Sequence, residues 1–137
     1  MTQQELQKLL DLYSAPGTWC QGAEARDIDG EPCAYDSPAA VRWSIIGALW
    51  KLFGKDRALK LCEIIAANLG TRSGSVSLWQ RRFDRGRSKD MAGRWRWLAY
   101  RQLIDWEDVL PPHGKYRVVE LLKKVERRSR TDGEEAA

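Results

Sequence analysis

Apolar residues recur along this chain at the three- and four-residue spacing of helices, in blocks divided by glycine and proline. Leu6, Leu9, Leu10 and Tyr13 share one helical face. Thr2 followed by Glu5 reads as the capping box that starts it, the hydroxyl accepting a backbone N–H while the carboxylate reaches back. Ser14-Ala15-Pro16-Gly17 ends it. Ser37-Pro38 predicts a second helix, with serine as cap and proline at the first position, where its missing N–H costs nothing. Val41, Ile45, Ala48, Leu49 and Leu52 would form its buried stripe, flanked by Trp43 and Trp50, and Gly54 is the stop. A third helix is expected from Asp56 to Leu69, using Leu59, Cys62, Ile65, Ala66 and Leu69, and Gly70 ends it. A short fourth runs from Ser75 to about Arg85 with Val76 and Trp79 inward. Asp90 caps a fifth through Leu103, with Met91, Trp95, Leu98 and Ile104 among its apolar positions. After Pro111-Pro112-His113-Gly114 a last helix, Lys115 to about Arg128, buries Val118, Leu121, Leu122 and Val125 and exposes Lys123, Lys124, Arg127 and Arg128.

The fold expected is therefore all-α: a single compact bundle of about six helices over residues 1–130, followed by a disordered acidic tail at 131–137. Between the first two helices, Trp19 to Asp36 is rich in Gly, Asp and Pro without clear periodicity. It reads as a long ordered loop with a short hairpin across Asp29-Gly30. A length of 137 residues suits one domain. No apolar run reaches membrane-spanning length, and MTQQELQKLL lacks the basic region and apolar core of a signal peptide, so a cytoplasmic setting is expected.

Charge changes the picture. Residues 1–50 carry a net charge of −4 and residues 51–130 a net charge of +11, which leaves an acidic front half and a basic back half. Residues 81–101 alone hold eight bases against two acids, and such an excess draws phosphate or an acidic protein surface. The bases are Arg81, Arg82, Arg85, Arg87, Lys89, Arg94, Arg96 and Arg101, interleaved with Phe83, Trp95, Trp97 and Tyr100. Guanidinium groups pair with phosphates, and aromatic rings can stack on unpaired bases or fill the core.

Around this stretch, Ala66, Gly70, Val76 and Trp79 fall where a repressor-like helix-turn-helix places its small residue, its turn glycine and its two buried apolar residues. Residues 62–82 thus resemble a repressor or transposase helix-turn-helix. That resemblance implies Arg72, Ser73, Ser75, Ser77, Gln80 and Arg81 facing the major groove. The same helix, glycine, helix order also turns the corner of any small bundle, so groove readout and plain packing both stay open.

A second resemblance spans most of residues 5–125. Trp19-Cys20-Gln21-Gly22, then Asp27, Gly30 and Cys33, then Ser37-Pro38-Ala39-Ala40-Val41 leading into Gly47-Ala48-Leu49, and Trp106-Glu107-Asp108 before a closing helix, resemble an uncharacterised family of small bacterial and phage proteins with W-x-Q-G, G-A-L and W-N-D motifs. Ser44 stands where that family has cysteine, Glu107 replaces its asparagine, and about residues 71–100 look like an insertion. The resemblance implies an all-α fold and structural roles for Trp19, Gln21, Gly22, Gly47, Trp106 and Asp108.

Catalytic chemistry finds little to stand on. His113 is the single histidine and no serine or cysteine context marks a nucleophile. Cys20, Cys33, Cys62 and His113 are potential zinc ligands, yet no pair has the close spacing that fixes two ligands from one turn. Asp27, Asp29, Glu31 and Asp36 do not match the spacing of a calcium loop. No metal and no cofactor are expected. The reading is a non-enzymatic protein that meets DNA or RNA through Arg72, Ser75, Ser77, Gln80, Arg81, Arg82, Arg85, Arg87, Arg94, Arg96 and Arg101. The alternative is an inhibitor or modulator, of the kind phages direct at a host defence complex, whose same face meets an acidic host protein surface.

Overall fold

Thr2 opens the first helix, α1 (Gln3–Ser14), by the expected box: its hydroxyl accepts the Glu5 N–H at 3.1 Å and the Glu5 carboxylate accepts the Thr2 N–H at 2.9 Å. Leu6, Leu9 and Tyr13 are sealed from solvent on its inner face, and burial of such side chains contributes roughly 1.5–3 kcal/mol each. This computed structural model describes residues 1–69 and 91–136, with side chains for 1–69 and 98–129.

Beyond α1 the chain departs from the all-α expectation, which is corrected by a small sheet. Three short strands, β1 (Ala25–Arg26), β2 (Pro32–Cys33) and β3 (Arg42–Trp43), pair antiparallel in the order β2-β1-β3. Ala25 pairs with both Cys33 and Trp43. The turn between β1 and β2 is the hairpin expected across Asp29-Gly30. The Asp27 carboxylate accepts the N–H groups of Asp29 and Glu31, and Gly30 takes a positive φ of 85°. The described residues therefore form five helices plus a sheet, a mostly helical fold and not a bundle of six helices.

Ser37-Pro38 does not start a helix, because residues 37–41 turn back to deliver β3. The second helix, α2 (Ile45–Phe53), begins seven residues later than expected, capped by Ser44, whose Oγ accepts the Gly47 N–H at 3.2 Å. Val41 is accordingly exposed and Trp43 lies in a strand. Gly54, at φ 81°, turns the chain directly into α3 (Lys55–Ala66), which buries Ala58, Leu61, Cys62, Ile65 and Ala66.

The expected fourth helix, with Arg72, Ser75, Ser77, Gln80, Arg81, Arg82, Arg85 and Arg87, lies outside the described residues, and so does the second half of the helix-turn-helix reading. The fourth described helix, α4 (Met91–Asp108), runs past Leu103 by more than a turn and includes Trp106-Glu107-Asp108. Arg94 and Arg96 are on its backbone, and their side chains are likewise outside the description. The last helix, α5 (Lys115–Ala136), takes in residues 131–136 as helical backbone. Its Val118, Leu121, Leu122 and Val125 are buried as predicted. α3 packs between α2 and α4, and α1 lies against α5. No helix among the described residues is long and apolar enough to cross a membrane.

Candidate functional site

The long loop folds across the C-terminal end of α4, anchored by the Gln21 side-chain amide at the terminal carbonyls and by the Gly22 N–H at Asp108. The last carbonyls of a helix have no partner within it. Gln21 Nε2 donates to the carbonyls of Glu107 at 3.0 Å, Asp108 at 3.3 Å and Leu110 at 3.0 Å. Beside it the Gly22 N–H donates to Asp108 Oδ1 at 3.1 Å. Gly22 holds a φ of 80°, a conformation that favours glycine.

Glu107 ties this joint to two more elements. Its Oε2 accepts the Trp19 indole N–H at 2.8 Å and the backbone N–H of Ile45, the first residue of α2, at 3.0 Å. The side chain is buried, and burial lifts its carboxyl pKa from 4.5 to about 7. The Trp19 and Ile45 donors oppose that shift, and neighbouring Asp108 adds to it. Tyr13 approaches from α1, its hydroxyl donating to the Trp43 carbonyl at 3.0 Å. Burial raises the Tyr13 hydroxyl well above its ordinary pKa and pushes the Cys20 thiol up to about 11. Neither is poised as a base or nucleophile at neutral pH.

Gly47 sits where α2 crosses the loop. A Cβ there would overlap the Glu24 carbonyl, which accepts the Ser44 N–H at 3.2 Å. Between the start of α2 and the end of α4 a cavity of about 250 Å³ remains, with Glu24, Glu107 and Asp108 in its wall beside Ile46, Trp50 and Ile104.

Trp50 also belongs to an aromatic ledge beside that cavity, together with Tyr35 of the loop and Tyr100 of α4. Trp50 meets Tyr35 edge-on at 5.6 Å and Tyr100 at 6.2 Å between ring centroids. Its indole N–H donates to the Tyr100 hydroxyl at 3.2 Å. Lys55 places its ammonium 4.8 Å from the Trp50 ring and 5.8 Å from Tyr35, and Lys51 lies 4.9 Å from Trp43. Both lysines are exposed and the three ledge rings are half-buried.

Of the residues singled out in the sequence, Trp19, Gln21, Gly22 and Asp108 come together in one joint, with Gly47 across the loop from them. Trp106 is half-buried against the core. Arg101 is exposed and pairs with Asp105 on its own helix at 3.3 Å, a contact worth little on a solvated surface. His113 stacks on Tyr116 with ring centroids 6.5 Å apart. Cys20, Cys33 and Cys62 are free thiols, and among the described residues no three His, Cys, Asp or Glu side chains assemble as a metal set. Sequence reasoning does not mark Glu24, Tyr35, Trp50, Lys51 or Lys55 as site residues. Trp50 and Lys51 carry a weak signal, a tryptophan and a lysine beside an apolar stripe. Compared with protein-family models, with curated proteins and with solved structures, the chain matches none.

Proposed function

We propose that this is a non-enzymatic nucleic-acid-binding protein of bacterial or phage origin, reading unpaired bases and phosphates with a basic, aromatic face. The observation that carries the reading is the Lys55 ammonium lying over Trp50 and Tyr35, with Tyr100 of α4 on the same tryptophan. Tyr100 belongs to the helix whose sequence carries Arg94, Arg96 and Arg101, at the end of the segment with eight bases against two acids. A base that stacks on an aromatic side chain contributes about 1–3 kcal/mol, more than the roughly 0.5–1 kcal/mol of an exposed cation–π contact. A base therefore displaces the lysine, which is then free to meet the adjoining phosphate. Single-stranded DNA or RNA suits this ledge better than a duplex, whose bases are already stacked.

The test is binding of a labelled single-stranded oligonucleotide, as DNA and as RNA, with duplex DNA alongside. Trp50→Ala with Lys55→Ala should weaken single strands more than duplex. Binding of all three probes unchanged by that pair would remove the ledge from the account. Failure of every probe, together with an acidic host protein co-purifying at fixed stoichiometry, would favour the inhibitor reading instead.

A further inference from the structure

The cavity between α2 and α4 is not used by the nucleic-acid reading, and its chemistry is of the opposite sign. No lysine, arginine or histidine belongs to its wall among the described residues, while three carboxylates do. Each of the three is anchored through one oxygen. Glu24 Oε2 accepts the Tyr35 N–H at 3.1 Å, Asp108 Oδ1 accepts the Gly22 N–H, and Glu107 Oε2 accepts Trp19 and Ile45. The second oxygen of each takes no hydrogen bond from the described residues.

For Glu107 this second oxygen is decisive, because the residue is only 3% exposed. Among the described residues no side-chain nitrogen or oxygen is both sealed from solvent and without a partner. Its free Oε1 must therefore open on the cavity that the residue lines. A carboxylate oxygen held by a rigid frame at a cavity wall and left without a donor from the described residues is placed to accept one from a bound group. Among the described residues these acids do not group as a metal set. The remaining wall, Ile46, Trp50 and Ile104, offers apolar contact.

We propose that this cavity binds an organic cation, an ammonium or guanidinium group on an apolar stem, with the head at Glu107 and Asp108 and the stem along Ile46, Trp50 and Ile104. A volume of about 250 Å³ lies just under the common range for ligand pockets, roughly 300–1,000 Å³, so the occupant is small. It is either a free amine or guanidine, or one arginine or lysine side chain of a partner polypeptide. A bound cation favours the ionised carboxylate, so binding near neutral pH releases part of a proton from Glu107. Tyr13 of α1, Cys20 of the loop and Asp108 of α4 also face this carboxylate, as does the Ile45 N–H of α2. Tyr13 and Cys20 stay neutral throughout that range.

Calorimetric titration of the intact chain with agmatine, and with a blocked tetrapeptide containing one arginine, tests this site. Glu107→Gln keeps an oxygen for Trp19 and Ile45 and removes the charge, and Asp108→Asn does the same for Gly22. At least one probe should bind in the millimolar range or tighter, with proton release at pH 6.5, and each variant should weaken it at least tenfold. Tighter binding of agmatine identifies a free small molecule as the source, and tighter binding of the peptide identifies a partner side chain. No binding of either probe, or binding unchanged in both variants, overturns the proposal. Should Glu107→Gln fail to fold, Asp108→Asn alone decides.

Discussion

Glu107 Oε2 accepts the indole N–H of Trp19 at 2.8 Å, joining two residues 88 positions apart in the chain. The same oxygen holds the first N–H of α2, so one carboxyl fixes the loop, the end of α4 and the start of α2 relative to one another. Around it Gln21 and Gly22 bind the last residues of α4. Trp50 belongs both to the aromatic ledge and to the wall of the acidic cavity beside this joint.

Stability should fall as pH rises through neutrality. The Glu107 pKa is about 7 in the folded protein against 4.5 for the free group, so the folded state holds that proton more tightly. The resulting contribution is complete below pH 4.5 and is lost as pH passes 7, at most about 3 kcal/mol. Thermal melts at pH 5.5 and pH 8 should differ, and Glu107→Gln should narrow the gap by stabilising the protein at pH 8. A lower melting temperature for Glu107→Gln at pH 8 would show that the charged carboxylate is needed in the joint.

The acid side of the profile belongs to Glu5. Arg57 binds it through two hydrogen bonds, at 2.7 and 2.8 Å, and lowers its pKa to about 2. A depressed carboxylate stabilises above its unfolded pKa of about 4.5, and that stabilisation is lost as pH falls toward 2. Glu5→Gln should therefore lower the melting temperature at pH 6 and leave it nearly unchanged at pH 2, read by circular dichroism.

Gly47→Ala should be among the most damaging single substitutions in the chain. The new methyl would overlap the Glu24 carbonyl, a backbone atom held by Ser44, so relief requires shifting α2 or the loop. A loss of roughly 3 kcal/mol or more is expected in urea denaturation. Ala48→Gly, one residue along the same helix, should cost less.

The helical stripes are legible in the sequence because each repeats a local rule. The Thr2 and Glu5 box, the Leu6 to Tyr13 face and the Val118 to Val125 face need only spacing. The β1–β2 hairpin is legible from Asp29-Gly30, but β3 is not, since two residues are too few to alternate and Ala25 is paired on both sides. The start of α2 is hidden because Ser37-Pro38 carries the stronger local signal, while Ser44 is selected by tertiary contacts: Glu107 at Ile45 and the Glu24 carbonyl against Gly47. The joint itself is half visible. Trp19, Gln21, Gly22 and Asp108 read as structural, but nothing local to either segment says that they meet. Glu107 carries no local sign that it is the buried centre.

Gln21→Glu offers a direct check on the joint. A carboxylate in place of the amide would face three carbonyls with no hydrogen to donate, and burying such a mismatch costs about 1–3 kcal/mol or more. Gln21→Ala should be milder. Amide hydrogen exchange should report the loss at the Gly22 and Ile45 N–H groups before it reaches the α1 and α5 core.

The proposed function stands or falls on the salt dependence of single-strand binding. Fluorescence anisotropy with a labelled single-stranded oligonucleotide, at about 50 and 200 mM salt, should show affinity falling steeply as salt rises. Lys51→Ala with Lys55→Ala, and separately Arg81→Ala with Arg85→Ala, should each weaken binding and flatten that slope. Affinity that holds constant between the two salt concentrations, or that survives both double substitutions, would contradict the account.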